Sequence, residues 1–174
     1  MDAAAVVLTG VSGTGKTTVG LLLARHLGWP FLDADDFHPP ANVGKMQRGE
    51  PLTDADREPW LLALVAALRE RLDRGESTIL ACSALKQVYR DRLRLDERVR
   101  FVHLRADPEL LRRRLAQRAG HFFAPELLAS QLETLETPKD VPTFDAARPP
   151  EILMRDIERD LGLASSPRGA ADAD

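Results

Sequence analysis

The run Gly10-Val11-Ser12-Gly13-Thr14-Gly15-Lys16-Thr17 has the residue types and spacing of a phosphate-binding P-loop, G-x-x-x-x-G-K-[ST]. Gly10, Gly13 and Gly15 let the backbone turn tightly and bring its N–H groups against phosphate oxygens. A helix beginning near Lys16 adds its unpaired N–H groups and its dipole to the same anion site. Lys16 can reach the β- and γ-phosphates, and the Thr17 hydroxyl can ligate Mg²⁺. Ser12, Thr14 and Thr18 are counted with this cradle. The stretch predicts a bound nucleoside triphosphate and leaves open what is done with it.

A second polar cluster follows at Asp33-Ala34-Asp35-Asp36-Phe37-His38-Pro39-Pro40. In a parallel α/β sheet, ligands gather at the carboxyl ends of strands, where these acids fall. If the segment is extended, Asp33 and Asp35 point the same way, one toward a metal and the other toward a substrate hydroxyl. A solvated acidic turn fits the same letters. Arginines at 112, 113, 114 and 118 precede Gly120-His121-Phe122-Phe123. A mobile cover over about 118–125 carrying arginines would exclude water and bring positive charge to a transferring phosphoryl group, and a solvated basic helix face fits the same letters, Arg118 beside Gly120 least.

These groups need elements to hold them. The apolar run Ala3–Leu8 reads as a buried strand, and Val19, Leu22, Leu23 and Leu27 as the buried stripe of the helix after the P-loop. Gly28 stops that helix, and Pro30–Leu32 makes a second short strand ending in Asp33. Pro40–Arg48 forms a short helix. Thr53 and Asp56 make an Asp variant of the capping box for a long helix ending at Gly75. Thr78–Cys82 and Val99–Leu104 are further strands, and Asp107-Pro108 caps a helix. Lys86 and Arg90 are expected on one face of the helix after Cys82, a spacing that suits an anionic group or a solvated face. Pro142 puts the strand at 141–145 on a sheet edge, and Ile152, Ile157 and Leu161 are expected to face inward from the last helix. Residues 1–163 read as one domain with an insert over about 37–60, and 164–174 as a disordered tail.

The chain has 174 residues, a net charge of −3 and one cysteine, Cys82. That balance gives no electrostatic case for nucleic acid or a membrane surface, and one cysteine excludes an internal disulfide. Cys82 reads as a buried small hydrophobe. With no signal-peptide pattern or bilayer-length apolar span, the expected location is cytoplasmic.

Together these blocks resemble the gluconokinase family of small P-loop kinases, over nearly all of residues 6–136. The resemblance is carried by Gly10–Thr17, Asp33-Ala34-Asp35 with His38-Pro39, Asn42 with Lys45-Met46, and Gly49–Trp60. It continues in Cys82–Lys86 with Tyr89-Arg90-Asp91, Gly120–Phe123, and Ser130-Gln131 ahead of Leu135-Glu136. It implies a three-layer α/β sandwich with a five-stranded parallel sheet, strand order 2-3-1-4-5, a helical acceptor-binding insert and a mobile lid. The implied reaction is phosphoryl transfer from ATP to the 6-hydroxyl of D-gluconate, with Mg²⁺ as cofactor; a homodimer is compatible with it.

By the same likeness Lys16 and Thr17 hold the phosphates and the metal, Asp33 reaches the metal, and Asp35 is the general base. Arg57, Lys86 and Arg90 are candidates for the gluconate carboxylate, Arg57 first. His38 and His121 would meet hydroxyls, and Lys45 adds a further cation in the insert. Arg114 and Arg118 correspond to the cover arginines. The chain departs from the family pattern at Pro142, Phe144 and Ala146–Pro150, and the adenine-binding loop is expected near Ala146–Pro149. A kinase for shikimate, another sugar acid or a nucleoside monophosphate, and an ATP-binding switch without catalysis, are the competing readings.

Overall fold

The structure, a computed structural model, describes residues 3–117 and 125–163. Five parallel strands form one sheet in the order β2-β3-β1-β4-β5, as the resemblance implies. They are β1 (Ala5–Thr9), β2 (Phe31–Asp33), β3 (Thr78–Ala81), β4 (Val99–Arg105) and β5 (Thr143–Asp145). The helices are α1 (Lys16–Leu27), α2 (Pro40–Gln47), α3 (Asp54–Asp73), α4 (Gln87–Leu93), α5 (Pro108–Ala116), α6 (Pro125–Thr134) and α7 (Pro150–Asp160).

Alternation along β1 builds the three layers. Ala5 and Val7 face one core with Leu61, Leu64 and Leu68 of α3. Val6 and Leu8 face the other with Val19 and Leu23 of α1 and Leu153 and Ile157 of α7. A smaller cluster of Val11, Leu85, Leu111 and Leu128 packs beside the P-loop. The ends of α1 and α3 fall where expected: Gly28 closes α1 at φ 71°, and both halves of the Thr53/Asp56 capping box are present. β5 lies at the sheet edge, as Pro142 predicts.

Three local expectations are corrected. Asp33 and Asp35 do not lie on an extended segment, because Ala34–Phe37 is a 3₁₀ turn with Asp33 as its N-cap. Lys86 is the N-cap of α4 and not a residue within it, so it shares no helix face with Arg90. In α7 the inward stripe is Leu153, Met154 and Ile157, while Ile152 is exposed and Leu161 partly buried.

Gly20 marks a close approach that periodicity does not reveal. A Cβ there would stand 2.6 Å from Phe31 Cε2 and 3.1 Å from Leu8 Cδ1. Ala gains up to ~1 kcal/mol over Gly in helix propensity, but overpacking costs about 1–3 kcal/mol. Gly20→Ala is therefore expected to lower stability by about 1 kcal/mol, read as a reduced urea midpoint at unchanged m-value. A raised midpoint would contradict the packing argument.

Candidate active site

The P-loop leaves β1 and enters α1 with Gly13 and Gly15 at φ 87° and 91°, left-handed values that a side chain would strain. Thr14 is buried, and its Oγ1 donates to the Val11 carbonyl at 2.9 Å. Lys16 Nζ donates to the same carbonyl at 3.1 Å, which curls the lysine over the loop. Thr17 Oγ1 donates to Asp33 Oδ2 at 3.0 Å, and Asp33 Oδ1 accepts from the Asp35 amide at 3.0 Å. The turn after β2 thus does what strand alternation was expected to do: it brings both acids to the end of the sheet beside the P-loop.

Thr17 and Asp33 offer a hydroxyl and a carboxylate, the hard oxygen donors that suit Mg²⁺. Among the described residues no group of three or more His, Cys, Asp and Glu could cage a metal.

One cleft joins this phosphate end to the insert. Lys16, Thr17, Asp33 and Asp35 line it with His38, Arg57, Trp60, Ser83 and Gln131. His38 stacks on Trp60 with centroids 4.7 Å apart and planes at 6°. Trp60 is anchored by Nε1 donating to the Ala34 carbonyl at 2.7 Å. The Asn42 amide donates to the Asp56 carbonyl at 2.7 Å, and the same nitrogen lies 3.3 Å from His38 Nδ1. The histidine is therefore the acceptor in that contact, and its remaining ring proton sits on Nε2. Burial first, then the charge of Arg57, pushes the His38 pKa down to about 4. It is a neutral donor at pH 7.

The predicted cations part company. Arg57 lines the cleft. Lys86 Nζ donates to both carboxylate oxygens of Asp54 at 2.8 Å. Lys45 does the same to Asp56 at 2.8 and 2.9 Å, and so buttresses the capping box and not the cleft; this pairing pushes the Asp56 pKa down to about 2. Arg90 is 1% exposed, and its guanidinium donates to the carbonyls of Ala84, Leu85 and Glu136. With its donors spent on those carbonyls and on Gln87 Oε1, it holds the loop after β3 in place and does not line the cleft. Arg114 bridges the P-loop and the turn after β5, donating to Gly13 O at 3.3 Å and Ala146 O at 2.7 Å. A second cleft beyond it is lined by Thr14, Gly15, Thr18, Ala146, Arg148 and Pro150, where the nucleoside loop was expected. Arg118, His121 and the lid over about 118–125 lie outside the described residues, apart from Pro125 at the start of α6; so does the tail at 164–174.

Sequence reasoning gave no role to Tyr89, Asp54, Trp60, Asn42 or Gln131. Tyr89 and Asp54 contact Arg57, and Gln131 Oε1 accepts from the Ser12 amide at 2.7 Å. Asp54 lies three residues before Arg57 and Asn42 four after His38, spacings that the sequence shows, whereas Tyr89, Trp60 and Gln131 meet partners distant in sequence. Cys82 is buried and its thiol pKa is pushed up to about 12, which removes it as a nucleophile.

A further histidine, His103, is fully buried beneath the P-loop. Thr9 Oγ1 donates to Val102 O and sits 3.1 Å from His103 Nδ1. Burial, then the charges of Arg90, Lys16 and Arg105, pushes the His103 pKa down to about 4. Both histidines are therefore protonated more readily in the unfolded chain. Their contribution to stability is complete above pH ~6.5 and is lost as pH falls toward 4. Loss from carboxylates with lowered pKa values, such as Asp56, sets in below about pH 5 and adds to the fall at the acid end. Urea midpoints should fall between pH 6.5 and 4.5; a flat midpoint over that window would refute the assignment.

A family model described as an AAA domain matches residues 6–138. A gluconokinase of Gluconobacter oxydans (strain 621H) is 48% identical over 158 residues, which cover 88% of this chain and 89% of that protein. The crystal structure of a sugar kinase from Janibacter sp. HTCC2649, unliganded, superposes with a TM-score of 0.87 at 45% identity, covering 94% of this chain and 96% of that one. A gluconokinase from Sinorhizobium meliloti 1021 superposes at 0.81 and 41% identity, covering 93% of each chain.

Proposed function

Because the chain belongs to the gluconokinase family of ATP-binding P-loop kinases, we propose that it transfers the γ-phosphoryl group of ATP to the 6-hydroxyl of D-gluconate, giving 6-phosphogluconate and ADP. The observation that carries this reading is the single cleft shared by Lys16, Asp35, His38 and Arg57. A sugar acid needs a cation for its carboxylate and hydrogen-bonding groups for its hydroxyls, and this cleft has both beside a phosphate cradle.

The glycine amides and Lys16 grip the β- and γ-phosphates and stabilise the charge that spreads over the transferring group. Thr17 and Asp33 would hold Mg²⁺, which when bound neutralises phosphate charge. Asp35 accepts the proton of the 6-hydroxyl as that oxygen attacks phosphorus in line with the departing ADP oxygen. Arg57 pairs with the carboxylate at the other end of the acceptor, and neutral His38 donates from Nε2 to a hydroxyl. The turn at Ala146–Pro149 takes the adenine side, with Arg114 tying it to the P-loop. We place the reaction in the cytoplasm; no described helix is long and apolar enough to cross a membrane.

An acceptor panel with ATP and Mg²⁺ tests the substrate. Gluconate should exceed shikimate, glucose and nucleoside monophosphates by at least about 10²-fold in kcat/KM, the discrimination available when a buried polar partner is left unpaired. Equal or greater turnover of any of those acceptors would displace the reading.

A further inference from the structure

Arg57 does not stand alone in the cleft. Its Nη1 donates to the Tyr89 hydroxyl at 3.3 Å and lies 3.8 Å from Asp54 Oδ1, while its carbon Cζ sits 5.7 Å from the Tyr89 ring centroid. The Tyr89 hydroxyl in turn donates to Asp54 Oδ1. Lys86 closes the far end with both of its contacts on Asp54, and its ammonium lies 5.9 Å from the same ring. The result is a chain that runs from α4 across to the first turn of α3. Both polar contacts to Arg57 use Nη1, on one edge of a planar group that can bind a carboxylate with two parallel N–H donors.

We propose that Tyr89 and Asp54 are positioning residues for acceptor recognition, holding Arg57 so that its other edge meets the substrate carboxylate. This rests on the reading that Arg57 binds that carboxylate. Two observations favour a positioning role over a merely structural one. Tyr89 is buried yet spends its hydroxyl on the one acid that also contacts Arg57, so the hydrogen bonds converge on the guanidinium. The charges also fit: Arg57 and Lys86 against Asp54 leave one positive charge in excess, matched by one carboxylate. Burial and the Asp54 contact raise the Tyr89 pKa, so the hydroxyl stays protonated and able to donate. Lys86 and Tyr89 hold the Asp54 carboxyl below its usual range, so it stays charged.

The test is a double-mutant cycle on the intact chain, with KM and kcat measured separately for gluconate. Arg57→Ala should raise the gluconate KM about 10²-fold, and Tyr89→Phe about 10-fold, with kcat and the KM for ATP within twofold in the second variant. In the Arg57→Ala background, Tyr89→Phe should add nothing. Asp54→Asn, at an exposed position, should repeat the Tyr89→Phe effect and serves as the second variant if Tyr89→Phe folds poorly. An unchanged gluconate KM in Arg57→Ala would overturn the carboxylate reading itself. A raised KM there, with Tyr89→Phe and Asp54→Asn both at the parent value or both additive to Arg57→Ala, would overturn the positioning role alone.

Discussion

Asp35→Asn is expected to lower kcat for gluconate phosphorylation by about 10³, within the range that one positioned general base supplies, while ATP affinity stays within about threefold. The substitution is nearly isosteric, and it leaves in place the backbone contacts of residue 35, its amide to Asp33 Oδ1 and its carbonyl from the His38 amide. The asparagine amide cannot accept the hydroxyl proton as the new P–O bond forms. Nucleotide affinity should be spared, because the proposed grip on the phosphates is by P-loop amides and Lys16 rather than by Asp35. Single-turnover rates, with nucleotide binding measured separately, check both halves. A kcat reduced less than about tenfold would remove Asp35 as the base.

Lys16→Met should reduce kcat/KM for ATP by about 10²–10³, the cost typical of losing one donor aimed at developing transition-state charge. Methionine keeps the unbranched chain and its packing but carries no charge and no donor. In the structure the ammonium contacts the Val11 carbonyl, a backbone group of the loop it serves, so the lysine is already folded over the phosphate cradle. Loss of that hydrogen bond by itself should cost only about 1 kcal/mol of stability. A kcat/KM for ATP within fivefold of the parent would mean that the lysine does not touch the transferring group.

Local signals in the chain read through to the structure where the physics is local. The P-loop, the Thr53/Asp56 box, the Gly28 stop and the edge position forced by Pro142 depend on neighbours a few residues apart, and each is found. The strand order was legible only through family resemblance, because nothing in the alternation of Val6, Val7 and Leu8 says which strand lies beside which. Arg90 is the instructive miss. Its spacing from Lys86 suggested a paired anion site, but the chain from Ser83 to Lys86 bends back with Ala84 at φ 38°, turning the Ala84 and Leu85 carbonyls inward. A buried arginine is what satisfies them, and inward-facing carbonyls leave no mark on side-chain letters. Asp33 and Asp35 were brought together as expected but by another device, since an aspartate that caps its own 3₁₀ turn looks in sequence like one on a strand end.

Central to the account is that the cleft between the P-loop and Arg57 couples ATP consumption to a sugar acid. The direct measurement is the initial rate of ADP release by the purified protein with ATP and Mg²⁺, with and without D-gluconate, alongside quantification of 6-phosphogluconate. The account predicts a rate that rises at least about 10²-fold with gluconate, with one 6-phosphogluconate formed for each ADP. A rate indifferent to gluconate, or ADP released without the phosphorylated acid, would contradict it.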